Sequence, residues 1–73
     1  MKLPGLEVKA VIEKISPVVI EGNSHYYITL VGKEGIYDVD VSEYPEIVTY
    51  DVDDIVKFTY LEGTKLCEVT GIE

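Results

Sequence analysis

His25-Tyr26-Tyr27-Ile28-Thr29-Leu30-Val31, followed by Gly32-Lys33-Glu34-Gly35 and Ile36-Tyr37-Asp38-Val39-Asp40-Val41, is the stretch on which the fold turns. Two runs of alternating apolar and polar residues flank a four-residue segment with glycine at each end. Alternation of period two is the mark of a strand with one buried face, and paired glycines supply the positive φ that a reversal needs. Pairing Val31 with Ile36 sets Leu30 opposite Tyr37, Ile28 opposite Val39 and Tyr26 opposite Val41. One face is then apolar or aromatic, formed by Tyr26, Ile28, Leu30, Tyr37, Val39 and Val41. The other holds Tyr27, Thr29, Val31, Ile36, Asp38 and Asp40. A slip of one residue would turn carboxylates into the core, so the faces are strongly specified.

Outward from this hairpin, β-branched and aromatic residues dominate, and no window shows helical periodicity. Leu6, Val8, Ala10 and Ile12 point inward on a first strand, while Glu7, Lys9 and Glu13 point out. Lys14-Ile15-Ser16-Pro17 interrupts that strand before Val18-Val19-Ile20 resumes it. Proline lacks the donor a ladder needs, so Pro17 marks a bulge, a bend or an edge. Glu21-Gly22-Asn23-Ser24 forms a turn. Beyond Val41, Ser42 is placed to cap one or two helical turns, of the tighter 3₁₀ kind, with Pro45 in the first turn. Tyr44 and Ile47 are the expected plug for the barrel bottom. Asp51 to Asp54 turns the chain into a strand from Ile55 to Leu61, with Val56, Phe58 and Tyr60 on one face. Glu62-Gly63-Thr64 turns again, and Leu66 to Ile72 closes the sheet with Cys67 and Val69 on a common face.

This order predicts one all-β domain over residues 1–73: a long bent strand, a hairpin, a short helical or irregular link, and a final hairpin. It is the order of the five-stranded OB-fold, a small Greek-key barrel with a helix or loop between strands three and four. Val52-Asp53-Asp54-Ile55-Val56-Lys57-Phe58 also resembles the Val-Gly-Asp-x-Val-x-Phe lead into the fourth strand of many OB and SH3-like barrels. Asp53 stands where those families usually have glycine, and aspartate tolerates the left-handed conformation better than most residues. An SH3-like barrel, with Ser16-Pro17 as a turn between separate strands, is the alternative.

Charge is concentrated in the middle of the chain. Between Glu34 and Val56 lie eight carboxylates, Glu34, Asp38, Asp40, Glu43, Glu46, Asp51, Asp53 and Asp54, with no lysine or arginine. The remaining six acids balance six lysines, so this segment supplies the whole formal charge of -8. Arginine, glutamine and tryptophan are absent, a hint of a thermophilic source. Cys67 is the only cysteine, which rules out an internal disulfide and reads as a small buried apolar residue. Met1 to Gly5 has no apolar run of signal-peptide length, and no segment is long enough to span a membrane. The expectation is a cytoplasmic protein.

OB barrels bind ligands on the outer face of strands two and three. The resemblance therefore implies a ligand face at His25, Tyr27, Thr29, Val31, Ile36, Asp38 and Asp40, with Tyr27 and His25 available to stack bases. Local charge opposes nucleic acid there. Each phosphate brought against Asp38 or Asp40 costs on the order of 1 kcal/mol at contact distance in water, and the counterion release that drives such binding is missing. The lysines, at positions 2, 9, 14, 33, 57 and 65, form no stripe. A protein partner of basic character is favoured instead, taken up by an acidic surface at Glu43, Glu46, Val48, Tyr50, Asp51, Asp53 and Asp54.

Neither a metal nor a cofactor is expected. Asp51, Asp53 and Asp54 are spaced like part of a calcium loop but lack its glycine and distal glutamate, and one cysteine with one histidine makes no zinc site. Catalysis finds no support: Ser24 and His25 are adjacent strand residues whose side chains diverge, and His25 reads as a surface residue at the edge of a turn. The chain is expected to be a non-enzymatic binding module.

Overall fold

A computed structural model describes residues 5–73. It has five strands and one short helix: β1 (Leu6–Ile20), β2 (Asn23–Leu30), β3 (Tyr37–Asp40), a 3₁₀ helix (Pro45–Thr49), β4 (Ile55–Glu62) and β5 (Cys67–Ile72). The strands close into a barrel in the order β1-β2-β3-β5-β4, all contacts antiparallel except β3 with β5. The architecture is the expected all-β five-stranded barrel with a short helical link between β3 and β4, consistent with either the OB-like or the SH3-like form.

One strand serves two neighbours. Leu6–Val11 of β1 pairs with β4, and Ile12–Ile20 pairs with β2. Lys14–Pro17 does not interrupt it: β1 runs unbroken for 15 residues, with a bulge between Ile12 and Lys14. The extra residue bends the strand from one sheet wall into the next. Before the bulge even-numbered side chains face the core, as Val8 and Ile12 do; after it the phase changes, so that Ile15 packs on the core while Pro17 and Val19, in phase with it, lie exposed beyond the barrel. Leu6, expected inside, is 48% exposed at the barrel mouth.

The β1–β2 turn is tight, with Glu21 at φ 50 and Gly22 at φ 82. Two consecutive positive φ angles match the right-handed twist of flanking strands.

The β2–β3 hairpin keeps the expected faces but not the expected register. His25 lies opposite Asp40, Tyr26 opposite Val39, Tyr27 opposite Asp38 and Ile28 opposite Tyr37, a shift of two residues. The strands part early because their ends have other partners. Val31 N–H donates to Val11 O, and Ile36 O accepts from Cys67 N–H. Gly32 and Gly35, at φ 78 and 100, carry the wider turn.

Phe58, Ile12, Ile28, Val39 and Ile47 are fully buried at the centre of the core. Tyr37 meets Phe58 and Tyr60 edge-on, at centroid distances of 5.2 and 5.1 Å, as ring quadrupoles favour. Ile47, from the 3₁₀ helix, plugs the barrel as expected, while Val48 stays exposed. Ser42 does not cap this helix. Tyr44 holds the cap position without a side-chain hydrogen bond, and Ser42 uses its N–H to donate to Asp40 Oδ1 at 2.9 Å. Pro45 begins the helix, where its missing donor costs nothing.

Candidate functional site: an acidic outer face

On β2 and β3 the alternation that buries Ile28 and Val39 turns His25, Tyr27, Asp38 and Asp40 outward. Neighbouring strands extend both rows. Ser16 of β1 lies opposite Tyr27, and Glu68 of β5 lies beside Asp38, so Ser16, Tyr27, Asp38 and Glu68 cross four strands in line. Val18, His25 and Asp40 form the next row.

The shift in register gives His25 a partner. Its Nδ1 lies 2.8 Å from Asp38 Oδ1, diagonally across the strand pair, and the two side chains are only 14% and 19% exposed. His25 is therefore a half-buried strand residue held by a carboxylate, not the turn-edge surface residue the sequence suggests. Asp40 is also engaged, accepting from Ser42 N–H and fixing the exit from β3. Thr29 is half-buried with a covered hydroxyl that makes no hydrogen bond among the described residues. Val31 and Ile36 leave the face: both lie exposed in the turn and follow different neighbours.

The expected acidic surface divides in two. Glu43 and Glu46 are exposed after β3 and in the 3₁₀ helix, and they belong with the β3–β5 face. The phenol of Tyr44 shows this. Burial pushes its pKa above the usual tyrosine value, and Glu43, Glu68, Asp40 and Glu46 push it further. Acids of β3, of the link and of β5 thus all contribute to that rise. Tyr50 is half-buried, its hydroxyl donating to Glu73 O at 3.4 Å.

Asp51, Asp53 and Asp54 instead make a self-contained turn tied to β1. Asp51 N–H donates to Asp54 Oδ2 at 2.8 Å, Asp53 N–H donates to Ile12 O, and Ile12 N–H donates to Asp54 O. Asp53 sits at φ 77, the left-handed conformation that the glycine of the resembling motif provides. Among the described residues no group of three or more His, Cys, Asp or Glu is arranged to hold a metal ion.

Sequence reasoning missed Tyr44, Glu62 and Glu68 as parts of the face. A shallow cleft lined by Asp38, Leu61, Glu62, Gly63, Leu66 and Glu68 joins the β4–β5 loop to it. Only the parallel contact of β3 with β5, between positions 30 apart in the chain, brings Glu68 to Asp38. Among the described residues two lysines border the face: Lys14 of β1 lies opposite Thr29, and Lys65 is in the β4–β5 loop between Gly63 and Leu66 of the cleft. Two others lie away from it. Lys9 lies opposite Lys57 on β1 and β4, and Lys57 Nζ pairs with Glu73 Oε2 at 3.0 Å. That contact, with Glu7 nearby, raises the Lys57 pKa. Among known protein families, curated proteins and solved structures, none matches this chain.

Proposed function

We propose that this chain is a non-enzymatic binding module of the OB-fold type, and that it takes a basic protein on the acidic outer face of β2, β3 and β5. The strand order, with β1 shared between β2 and β4 and the link between β3 and β4, supports the OB reading. One observation carries the choice of partner: Asp38 of β3 and Glu68 of β5 stand side by side across the barrel seam, and Glu43, Glu68, Asp40 and Glu46 together help to raise the Tyr44 pKa. Such a surface steers a cationic partner and repels a phosphate backbone. Tyr44, Leu61 and Leu66 add the apolar and aromatic contact that a protein interface needs beside charge. His25 is hydrogen-bonded to Asp38 across the strand pair, which supports a structural role for the two side chains.

A second reading is single-stranded nucleic acid stacked on Tyr27, which faces outward in the middle of the four-strand row. Residue-resolved NMR titrations at low salt separate the two, with a lysine-rich peptide and mixed-sequence single-stranded DNA and RNA as probes. The peptide should shift Tyr44, Glu68 and Asp40 and lose affinity severalfold in the Glu43→Gln/Glu68→Gln variant, while the nucleic acids leave the spectrum silent. Shifts at Tyr27 and Thr29 on adding DNA or RNA, fading as salt rises, would overturn the protein reading.

A further inference from the structure

Beyond Ile12, β1 loses β4. Ile12 is the last residue held on that side, by its bonds to Asp53 and Asp54, and among the described residues no backbone bond reaches the outer edge from Glu13 to Ile20. The main-chain groups on this edge can be named. Val41 N–H donates to Ser24 O, so Ser24 directs its backbone toward β3. Alternation then turns the backbone of His25 and Tyr27 toward β1, where Val18 and Ser16 lie opposite them. Ile15, Pro17 and Val19 are left facing outward. The edge offers an N–H and a C=O from Ile15, the same from Val19, and between them only the C=O of Pro17.

The bulge sets this arrangement. Val31 N–H donates to Val11 O, so before the bulge odd-numbered residues face β2. Had the ladder run on without the extra residue, Pro17 would face β2 and leave one of its acceptors unpaired. The bulge moves proline to the free edge, where a missing donor is tolerated.

We infer that this edge of β1, from Ile15 to Val19, is a second docking site, and that it takes an extended segment of another protein by strand addition. The apolar side of the segment is fixed by what lies beside the edge. Val19 is 73% exposed, and with Pro17, Tyr26 and Val41 it lines a shallow, largely apolar cleft. Its charge is set by the ends of the edge, where exposed Glu13 and Glu21 outnumber the exposed Lys14 on a chain of formal charge -8. The fitting segment alternates apolar and basic residues. A second copy does not fit. Antiparallel pairing of two such edges about Pro17 would set proline against proline, losing both central bonds, and would place Glu13 across from Glu21. Proline and acid on an exposed edge are how natural sheets avoid pairing with themselves. This site shares with the acidic-face reading only the basic character of the partner.

The test uses two peptides of identical charge in NMR titrations of the whole chain. One is acetyl-Lys-Val-Lys-Val-Lys-Val-Lys-amide; the other is N-methylated at the central valine and the lysine beside it, which removes a donor from each of its edges. The first should shift the Ile15 and Val19 amides and slow their hydrogen exchange, and the second should bind at least tenfold more weakly. Pro17→Val supplies the missing donor and should tighten binding of the first peptide roughly three- to tenfold. Equal affinity of the two peptides, shifts confined to Tyr44 and Glu68, or no shift at millimolar peptide each overturn the proposal. Glu43→Gln/Glu68→Gln should leave the Ile15 and Val19 response unchanged, which separates failure here from failure of the acidic-face reading.

Discussion

Ile47 is fully buried, yet it hangs from a five-residue 3₁₀ helix that has no side-chain cap. Truncating it to alanine tests whether so slight an element is a structural plug or a passive crossing. Ile47→Ala removes three carbons, worth roughly 2.4 kcal/mol of transfer free energy at about 0.8 kcal/mol each. The void adds to this where the surroundings cannot collapse, and the observed range for such truncations is about 2–5 kcal/mol. We expect about 3 kcal/mol, because the core residues Val39, Val56 and Phe58 are held in strand ladders, Phe58 on both sides, Val39 by β2 and Val56 by β1, and collapse only in part onto the space left by the side chain. Urea denaturation followed by tyrosine fluorescence gives the number, with an accompanying fall in Tm of roughly 12–24 °C for a domain of this size. Ile47→Val, which deletes one carbon, should cost about 0.5–1.5 kcal/mol and show that the fold survives. A loss below about 1 kcal/mol in the alanine variant would refute the reasoning, since the link would then be free to settle and the barrel would close without it.

Two further outcomes follow from the backbone and the buried phenols. Tyr37, pushed up by burial with help from Tyr60, Cys67 and Glu62, and Tyr44, pushed up by burial and its acids, both bind the phenolic proton more tightly folded than unfolded. Their contribution is fully present below the unfolded tyrosine value of about 10 and is lost as pH rises through the folded values. Urea midpoints should therefore fall above pH 10, and a Tyr37→Phe/Tyr44→Phe variant that falls as steeply as the parent would contradict this assignment. Asp53, at φ 77, is held where glycine is unstrained. Asp53→Gly should be neutral to about 1 kcal/mol stabilising, whereas Asp53→Val should cost about 1–2 kcal/mol or more, both read from the same denaturation curves.

The faces of β2 and β3 were legible because alternation survives errors in pairing. The β2–β3 register was displaced by two residues, which moved no side chain across the sheet but changed every neighbour. That displacement created the His25–Asp38 contact, and no local pattern could reveal it. Val31 and Ile36 looked like a pair because they flank the glycines; their actual partners, Val11 and Cys67, are 20 and 31 positions away in the chain. The bulge in β1 was equally hidden, since Glu13 and Lys14 are both polar and fit the outside in either phase. Asp53 was readable from its motif, because its demand on φ is local. The acidic character of the candidate site was legible from composition, and its shape was not: Glu68 joins Asp38 only through barrel closure, while the Asp51–Asp54 turn is drawn away by its bonds to β1.

Barrel closure has a kinetic consequence. The seam between β3 and β5 is two residue pairs long, Tyr37 with Cys67 and Asp38 with Glu68, reinforced by the bond from Cys67 N–H to Ile36 O at 2.8 Å. Every other junction is longer, and the tight β1–β2 hairpin closes over only the Glu21–Gly22 turn. Loop-closure entropy must be met before distant contacts return anything, so hairpins form early and the seam zips last. In the native state the same seam is the first place to breathe, and the Cys67 amide should exchange with solvent ahead of amides in the middle of β1 and β4. Tyr27, Asp38 and Glu68 straddle that seam, so a partner gripping Tyr27 and Glu68 together would clamp the barrel at the point where it opens.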